Sequence, residues 1–356
     1  MKIEQTTFEE LKGIWNELLQ KNEINEVFLT YEWLNTWWSV YGKDKQLLLL
    51  KITDDNEVIG IAPLMIENKV IKFIGDPHSD YHDFIICKNK EWTIREIIGH
   101  IRKNIKHKLM NLTNIPDCSS TIDILERNSK IHFKKILNVC PYIRLNSSYE
   151  DFKKSMKSKL RKNIKRGLEL YEDKLGFNIE NGDLNKFFDL HKKRWDNTKT
   201  PSRFNKEIHK SFFEGISKLN FFKLSYLKFE DKTLAFHAGL YYNNKAFSYM
   251  PAYDPDYYKM SPGFVLLNLL IKNSFENNLN EFDFGNGAEE YKNRFSENSR
   301  TNYLISLYNN NPVSYLYYLK HKNYENLKKI LRKNEFIINT LRTIRENYRY
   351  YFKNAE

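Results

Sequence analysis

Residues 249–271 read YMPAYDPDYYKMSPGFVLLNLLI. The run begins as a strand, breaks at Asp254-Pro255, passes through a Tyr-Lys loop and re-forms at Ser261-Pro262-Gly263 as an apolar helix. Pro suits the first turn of a helix because the N–H it lacks would have no partner there. Upstream, FFKLSYLKFEDKTLAFHAGLYYNNKAFSYM predicts three strands joined by Glu-Asp-Lys and Asn-Asn turns. Downstream come a strand at NEFDF, the triplet Gly285-Asn286-Gly287, a short helix in AEEYKNRF, and a strand at TNYLISLY. A long basic helix starts near residue 313.

The N-terminal part echoes this order. Residues 7–20 and 31–42 space apolar groups at helical intervals, and QLLLLKITDDNEVIGIAPLMI predicts two strands around Asp54-Asp55-Asn56. Residues 51–84 align with 226–264 as strand, acidic turn, strand, polar turn, strand, then an Asp-Pro loop with tyrosine. Two copies of one α/β unit follow from that large-period repeat. In the second copy the loop opens a helix, whereas in the first it runs into another strand. Phosphate favours helix N-termini, so the second copy alone offers such a site.

At 356 residues, 41% apolar and 29% charged, the chain can bury two cores, and wholesale disorder is excluded. A net charge of +12 attracts nucleic acid, anionic membrane, an acidic carrier protein or a polyanionic cofactor. Cys87, Cys118 and Cys140 form no pairing pattern, which fits a reducing compartment. The N-terminus has no apolar signal core, and no stretch approaches the roughly 20 apolar residues that span a bilayer. A cytoplasmic protein is expected, with the inner membrane face as a peripheral site.

Gly285-Asn286-Gly287 lacks the third glycine of a dinucleotide fingerprint and the Gly-Lys-Ser/Thr of a P-loop. It reads as a tight turn needing positive φ. Asp283 alternates with Phe282 and Phe284; a base, an anchor for a substrate ammonium and a cap for the glycine turn all fit it. His237, polar within TLAFHAGLYY, reads as a base or as a core histidine. Asp76, Asp80, Tyr81, His82 and Asp83 crowd one loop. Their spacing matches no metal loop, and a substrate-facing rim between the copies is expected instead. Between Lys153 and Arg166 stand eight Lys/Arg and no acid; those at 154, 157, 161 and 165 make one stripe on a helix.

A three-strand meander, a loop, a helix, a strand, a short helix carrying Tyr and a last strand is the order of the GNAT acyltransferase core. YMPAYDPDYYKMSPGFVLLNLLI, FDFGNGAEEYKNRF and the upstream KSKLRKNIKRGLE resemble the CelD/BcsL-type, BioF2-like acetyltransferase domain, a relative of the Fem aminoacyl-transferases. The likeness covers most of residues 1–308. It implies an α/β fold of two tandem GNAT-like units, each a mixed, mainly antiparallel sheet flanked by helices. Residues 1–146 would be a degenerate unit, 147–311 the catalytic one, and 312–356 a basic helical tail.

The resemblance further implies an acyl-CoA donor, acetyl-CoA or longer, and no metal. Its pyrophosphate would meet Met260, Ser261, Pro262, Gly263 and Phe264, with Tyr258 and Lys259 beside them. This loop has fewer glycines than the usual Q/R-x-x-G-x-G/A. Strands 245–253 and 280–284 would splay for the pantetheine arm. Tyr291 would protonate the leaving thiolate, with a packing residue as its plainer reading, and His237 or Asp283 would serve as base. Asp80, Tyr81, Asp83 and Lys292 would face the acceptor, an amine or amino sugar between the units. The expected reaction is direct attack by that amine, since no Cys or Ser sits in a nucleophile motif. Two alternatives stand beside it: Fem-like transfer from aminoacyl-tRNA to a cell-wall or peptide precursor, and a non-catalytic binding protein in polysaccharide assembly. The 153–166 stripe would hold tRNA, an acidic carrier protein or CoA phosphates, and the tail would dimerise or lie on anionic membrane.

Overall fold

The computed structural model describes residues 1–333 except 181, 197, 199, 288 and 297, and except the side chains of 172 and 328–333. The last part of the expected 312–356 tail lies outside the described residues.

In the N-terminal half, Lys2–Gln5 (β1) precedes the helices Phe8–Leu11 (α1), Trp15–Gln20 (α2) and Tyr31–Tyr41 (α3). Gln46–Asp54 (β2), Glu57–Glu67 (β3) and Val70–Phe73 (β4) form an antiparallel meander, and Ile85–Ile86 (β5) pairs with β3. Lys90–Asn104 (α4) then crosses to Leu109–Pro116 (β6), which runs parallel to β4. Thr121–Arg127 (α5) leads to His132–Arg144 (β7). The C-terminal half repeats the plan. Tyr149–Ser155 (α6), Ser158–Glu169 (α7), Leu175–Asn178 (β8), Leu184–Trp195 (α8) and Glu207–Ile216 (α9) come first. The meander Phe222–Phe229 (β9), Lys232–Tyr242 (β10) and Lys245–Tyr253 (β11) follows, and Pro262–Glu276 (α10) crosses to Glu281–Asp283 (β12), parallel to β11. Lys292–Phe295 (α11), Ser299–Tyr308 (β13) and Pro312–Lys333 (α12) complete it.

Among the described residues thirteen strands join one sheet, with β4, β6, β13, β7, β12 and β11 adjacent in that order. The final strand of each half thus lies against the other half's parallel strand. β13 pairs with β6 from Asn302↔Pro116 onward, and β7 pairs with β12 through Phe282↔Ile143. β7 and β13 also pair with each other, Ser299↔Pro141 to Leu307↔His132.

The turns are set locally. Asp55 and Asn56, and Asn243 and Asn244, all take positive φ, the conformation of a tight hairpin that Asn tolerates best. The 7–20 helix is interrupted around Gly13, and the basic 147–176 helix is broken at Met156, whose backbone is extended and whose side chain is buried. Burying Met156 outweighs continuing the helix there. α8 stops at Trp195.

Alternation along the strands gives the sheet two buried faces. Leu49, Ile61 and Met65 from one half, and Phe236, Ala238 and Leu240 from the other, enter a single core under α1–α3, α8 and α9. On the opposite face each half has its own core, one built on β2 with α4 and the other on β10 with α10. Phe28 sits at the centre of the shared core. Its ring meets Trp33 at 5.0 Å and Phe247 at 5.3 Å, both edge-on, so it touches both halves. Truncating it leaves a cavity that neither half can close alone. Phe28→Ala should cost about 3–5 kcal/mol in denaturant unfolding. The transition should stay single, and two separate transitions in the wild-type protein would contradict a shared core.

Candidate active site

β11 and β12 stay paired for only three positions, ending at Phe247↔Asp283. Beyond that point β11 continues to Tyr253 without a strand on that edge, while the chain after β12 turns away through Phe284 and Gly285. β11 also carries a bulge: Ala238 faces Met250 and Gly239 faces Ser248, leaving Tyr249 as the extra residue. A cavity of about 910 Å³ opens along this edge, lined by Ser248–Pro251 and Tyr253 on one side and by Phe284, Asn286, Tyr291 and Lys292 on the other. Gly263 and Phe264 of α10 flank it, α8 and the following connection cover it, and His78 and Asp80 come from the N-terminal half.

At the N-terminus of α10, Ser261 takes a left-handed conformation with φ 50 and ψ 48. Its carbonyl accepts the N–H groups of both Phe264 and Val265 at 3.0 Å. A Cβ on Gly263 would stand 2.8 Å from the Tyr253 ring, so glycine is what lets the helix end approach β11. Arg194 lies over the same Tyr253 ring at 4.1 Å and over Trp195 at 4.7 Å. Tyr258 points to solvent, and neither it nor Lys259 lines the cavity. Tyr291 lines it from just before α11; burial, with Glu289 nearby, pushes its hydroxyl up to about 12.

His237 is buried behind Ser248, its Nε2 within 2.8 Å of Ser248 Oγ, and its Nδ1 is unpartnered. Burial lowers its pKa to about 4. Asp80 lines the cavity and accepts the Asn286 N–H at 3.2 Å and Asn286 Nδ2–H at 2.8 Å. Burial raises its carboxyl above the ordinary range, against the Asn286 hydrogen bonds and Lys292. A Cβ on Gly285, whose φ is 66, would stand 2.3 Å from Asp80 Oδ2. The glycine turn therefore exists to seat Asn286 on Asp80. Lys292 is buried too, donating to Asn286 O at 2.8 Å and pairing with Glu289 at 2.9 Å.

Met260, Ser261 and Pro262 do not line the cavity either, and Asp283, Tyr81 and Asp83 lie elsewhere. Asp283 is fully buried: Oδ1 caps Gly285 N–H at 2.7 Å, while Oδ2 accepts Tyr81 O–H at 2.8 Å and Arg300 Nη1–H at 3.0 Å. Of its three readings, the cap on the glycine turn is the one its contacts match. Burial, with Glu281 adding, pushes its pKa up to about 7. Tyr81 is occupied by that bond, so it faces Asp283 rather than an acceptor. Asp83 braces the N-terminal half, accepting from Ser119, Thr121, Lys90 and the Phe84 N–H. Neither is free because each is a buried polar group that the fold itself must satisfy. Among the described residues no group of three or more His, Cys, Asp or Glu is placed to hold a metal ion. Cys140 is buried and its thiol is raised by burial, so it is no thiolate.

Sequence reasoning missed Arg194, Arg203, His78, Ser248 and Asn286. Asn286 was in view as part of the glycine triplet, but nothing in the sequence told its hydrogen-bonding role. The others carry no motif and are brought together only by the fold.

Residues 154–293 match the model of the acetyltransferase (GNAT) domain. The matched segment contains β11, α10, the bulge and Tyr291, and with them most of the residues that line the cavity. No curated protein matches the chain. Among solved structures, FemX is similar over 89% of this chain and 100% of its own, with TM-score 0.64 and 10% identity. L-PGS from Bacillus licheniformis is similar over 89% and 97%, with TM-score 0.58 and 14% identity. A tandem GNAT protein from the clavulanic acid biosynthesis pathway is similar over 85% and 97%, with TM-score 0.54 and 9% identity. At such identities the likeness is one of fold, and the fold is the tandem GNAT arrangement.

Three cavity histidines are held neutral. Burial, with Arg203 adding, lowers His78 to about 3 and His191 to about 4, and burial alone lowers His237 to about 4, all from 6.5. As pH falls, the unfolded chain takes up these protons first. Their contribution to stability is therefore complete above pH 6.5 and is lost as the pH drops through about 4. The urea midpoint should fall over that window, and His78→Gln with His191→Gln should flatten the fall. An unchanged slope in the double variant would show that other groups set it.

Proposed function

We propose that the protein is an N-acyltransferase that moves an acyl group from acyl-CoA to an amine held between the two halves. The observation that carries this reading is the end of β11–β12 pairing at Phe247↔Asp283, opening on a cavity flanked by the N-terminus of α10. Strand edges without a partner leave alternate backbone amides facing the gap, and these suit an extended pantetheine arm and a thioester carbonyl. The close approach at Gly263 and the guanidinium of Arg194 suit the donor's phosphates.

The amine nitrogen attacks the thioester carbonyl carbon, the C–S bond breaks, and the leaving sulfur takes a proton from Tyr291. With its hydroxyl pushed up to about 12, Tyr291 stays protonated throughout the neutral range and can give its proton only to a strongly basic group such as a thiolate. Asp80 is the carboxylate on the acceptor side, and it takes the proton from the amine. Its raised pKa makes it a better base than an ordinary aspartate. His237 is held against Ser248 through Nε2. No acyl-enzyme is needed.

A second reading, Fem-like transfer from aminoacyl-tRNA, is favoured by the exposed face of α6 and α7. Lys154, Lys157, Lys159, Lys162, Lys165 and Arg166 all point to solvent. The charge of Lys159 is felt at Glu290, next to Tyr291. Backbone phosphates would bind such a face with a strong dependence on salt.

Thermal-shift titration with acetyl-CoA, longer acyl-CoAs, free CoA and tRNA separates the readings. A shift with the thioesters supports the first, and a salt-sensitive shift with tRNA alone supports the second. No shift with either would sink both and leave a binding protein. Tyr291→Phe should lower kcat by about 10²–10⁴-fold with the CoA Kd unchanged. Unchanged turnover would remove Tyr291 from the mechanism. Asp80→Asn should abolish the acidic limb of the kcat profile, which a merely structural role would leave in place.

A further inference from the structure

The charged groups of the cavity are unevenly satisfied. Its two carboxylates are engaged within the protein: Asp80 holds Asn286 through both oxygens, and Glu289 pairs with Lys292 at 2.9 Å. Its two arginines have no carboxylate partner among the described residues. Arg194 rests on aromatic rings beside the α10 N-terminus. Arg203 stands on the connection between α8 and α9, towards the wall that the N-terminal half provides. Its charge is felt, after the larger effect of burial, at His78, His191, His209 and Asp80.

The backbone that carries Arg203 is pinned on both sides. Ser202 is buried, meets His191 Nδ1 at 2.8 Å and accepts the Phe204 N–H at 3.2 Å. Phe204 is fully buried among Phe187, Phe188 and Phe213. Asp196 Oδ1 accepts both Ser202 N–H and Asn205 Nδ2–H. Arg203 itself is exposed and lines the cavity. Across from it, the Trp37 indole donates to His78 Nδ1 at 3.0 Å. Indole N–H only donates, so the neutral His78 ring carries its proton on Nε2. Tyr41 stacks on that ring at 4.3 Å and fixes its plane. A guanidinium carried on a pinned backbone and an oriented imidazole N–H, neither with an acid partner among the described residues, suit an oxyanion.

We propose that Arg203 and His78 Nε2–H form a subsite for an anionic group, carboxylate or phosphate, carried by the acceptor. It rests on the transferase reading for the word acceptor, and on the charge pattern alone for the anion. The acceptor is then an acidic amine, such as an amino acid or a phosphorylated amino sugar. Its anion is held by the N-terminal half's side of the cavity while its amine faces Asp80. This gives the N-terminal half a task in substrate choice.

Binding is tested without any acyl donor, on the full chain, by thermal shift at constant ionic strength with sodium phosphate, sodium glutarate and sodium chloride. Phosphate or glutarate should shift the wild-type melting temperature beyond chloride. Phosphate alone points to a phosphorylated acceptor and glutarate alone to a carboxylated one. Arg203→Gln should weaken the effect about ten-fold or more, and Arg203→Lys should retain most of it. Arg95→Gln, an exposed position outside the cavity, should change nothing. Free CoA should bind Arg203→Gln as it binds the wild type. The proposal is overturned if neither anion acts beyond chloride, or if Arg203→Gln responds as the wild type does. CoA is titrated separately, so a failure of the donor reading does not obscure this result.

Discussion

The pairing of β7 with β13 is the contact on which the rest of the molecule depends. Each half ends in a strand that its own parallel strand would accept, yet each lies against the other half's instead. The exchange closes a single sheet. It brings the loop around His78 and Asp80 to the edge of β11, where the pairing with β12 has run out. Without it the cavity would have one wall.

Along the same seam runs a buried polar network. Arg300 on β13 bonds Glu281 and Asp283 of β12, and Lys245 on β11 bonds Glu26 of the N-terminal half at 2.5 Å. Asn302 on β13 donates to the Asp80 carbonyl and to Asn286 Oδ1. Buried ion pairs are weak sources of net stability, since desolvation offsets most of their attraction. Their value here is in register. A slip of β13 by one residue would turn Arg300 and Asn302 to the wrong face, taking Arg300 from Asp283 and Glu281 and Asn302 from the Asp80 carbonyl.

Much of this was legible in the sequence because it is local. The Asn-rich hairpins, the Ser-Pro start of α10 and the period-two strands are each decided by a few neighbouring residues, and the internal repeat joins them into two halves. The strand exchange was not legible. β7 and β13 have the same apolar alternation whichever neighbour they choose, and only the complete sheet decides between them. The site divides in the same way. Tyr291 and the α10 N-terminus follow from element order, and Asp80 from its crowded loop. Asp283, Tyr81 and Asp83 looked chemical because they are polar residues in unusual places. Asp283 is taken up by Tyr81 and Arg300, and Asp83 by the Ser119–Thr121 turn, partners too distant in sequence to foresee; only the cap of Asp283 on Gly285 was in view. Arg203 went unnoticed for the opposite reason: a single arginine in a Pro-Ser-Arg connection carries no pattern.

The exchange also dictates an order of events on the ribosome. Pro116 of β6 must wait for Asn302, so the N-terminal half emerges and collapses with one sheet edge open until residue 302 has been made. Contacts of such long range are slow to form, and an open edge invites pairing with other chains. β13 is therefore the strand that ends this exposure, and a truncation before residue 299 would leave an aggregation-prone fragment rather than a smaller domain.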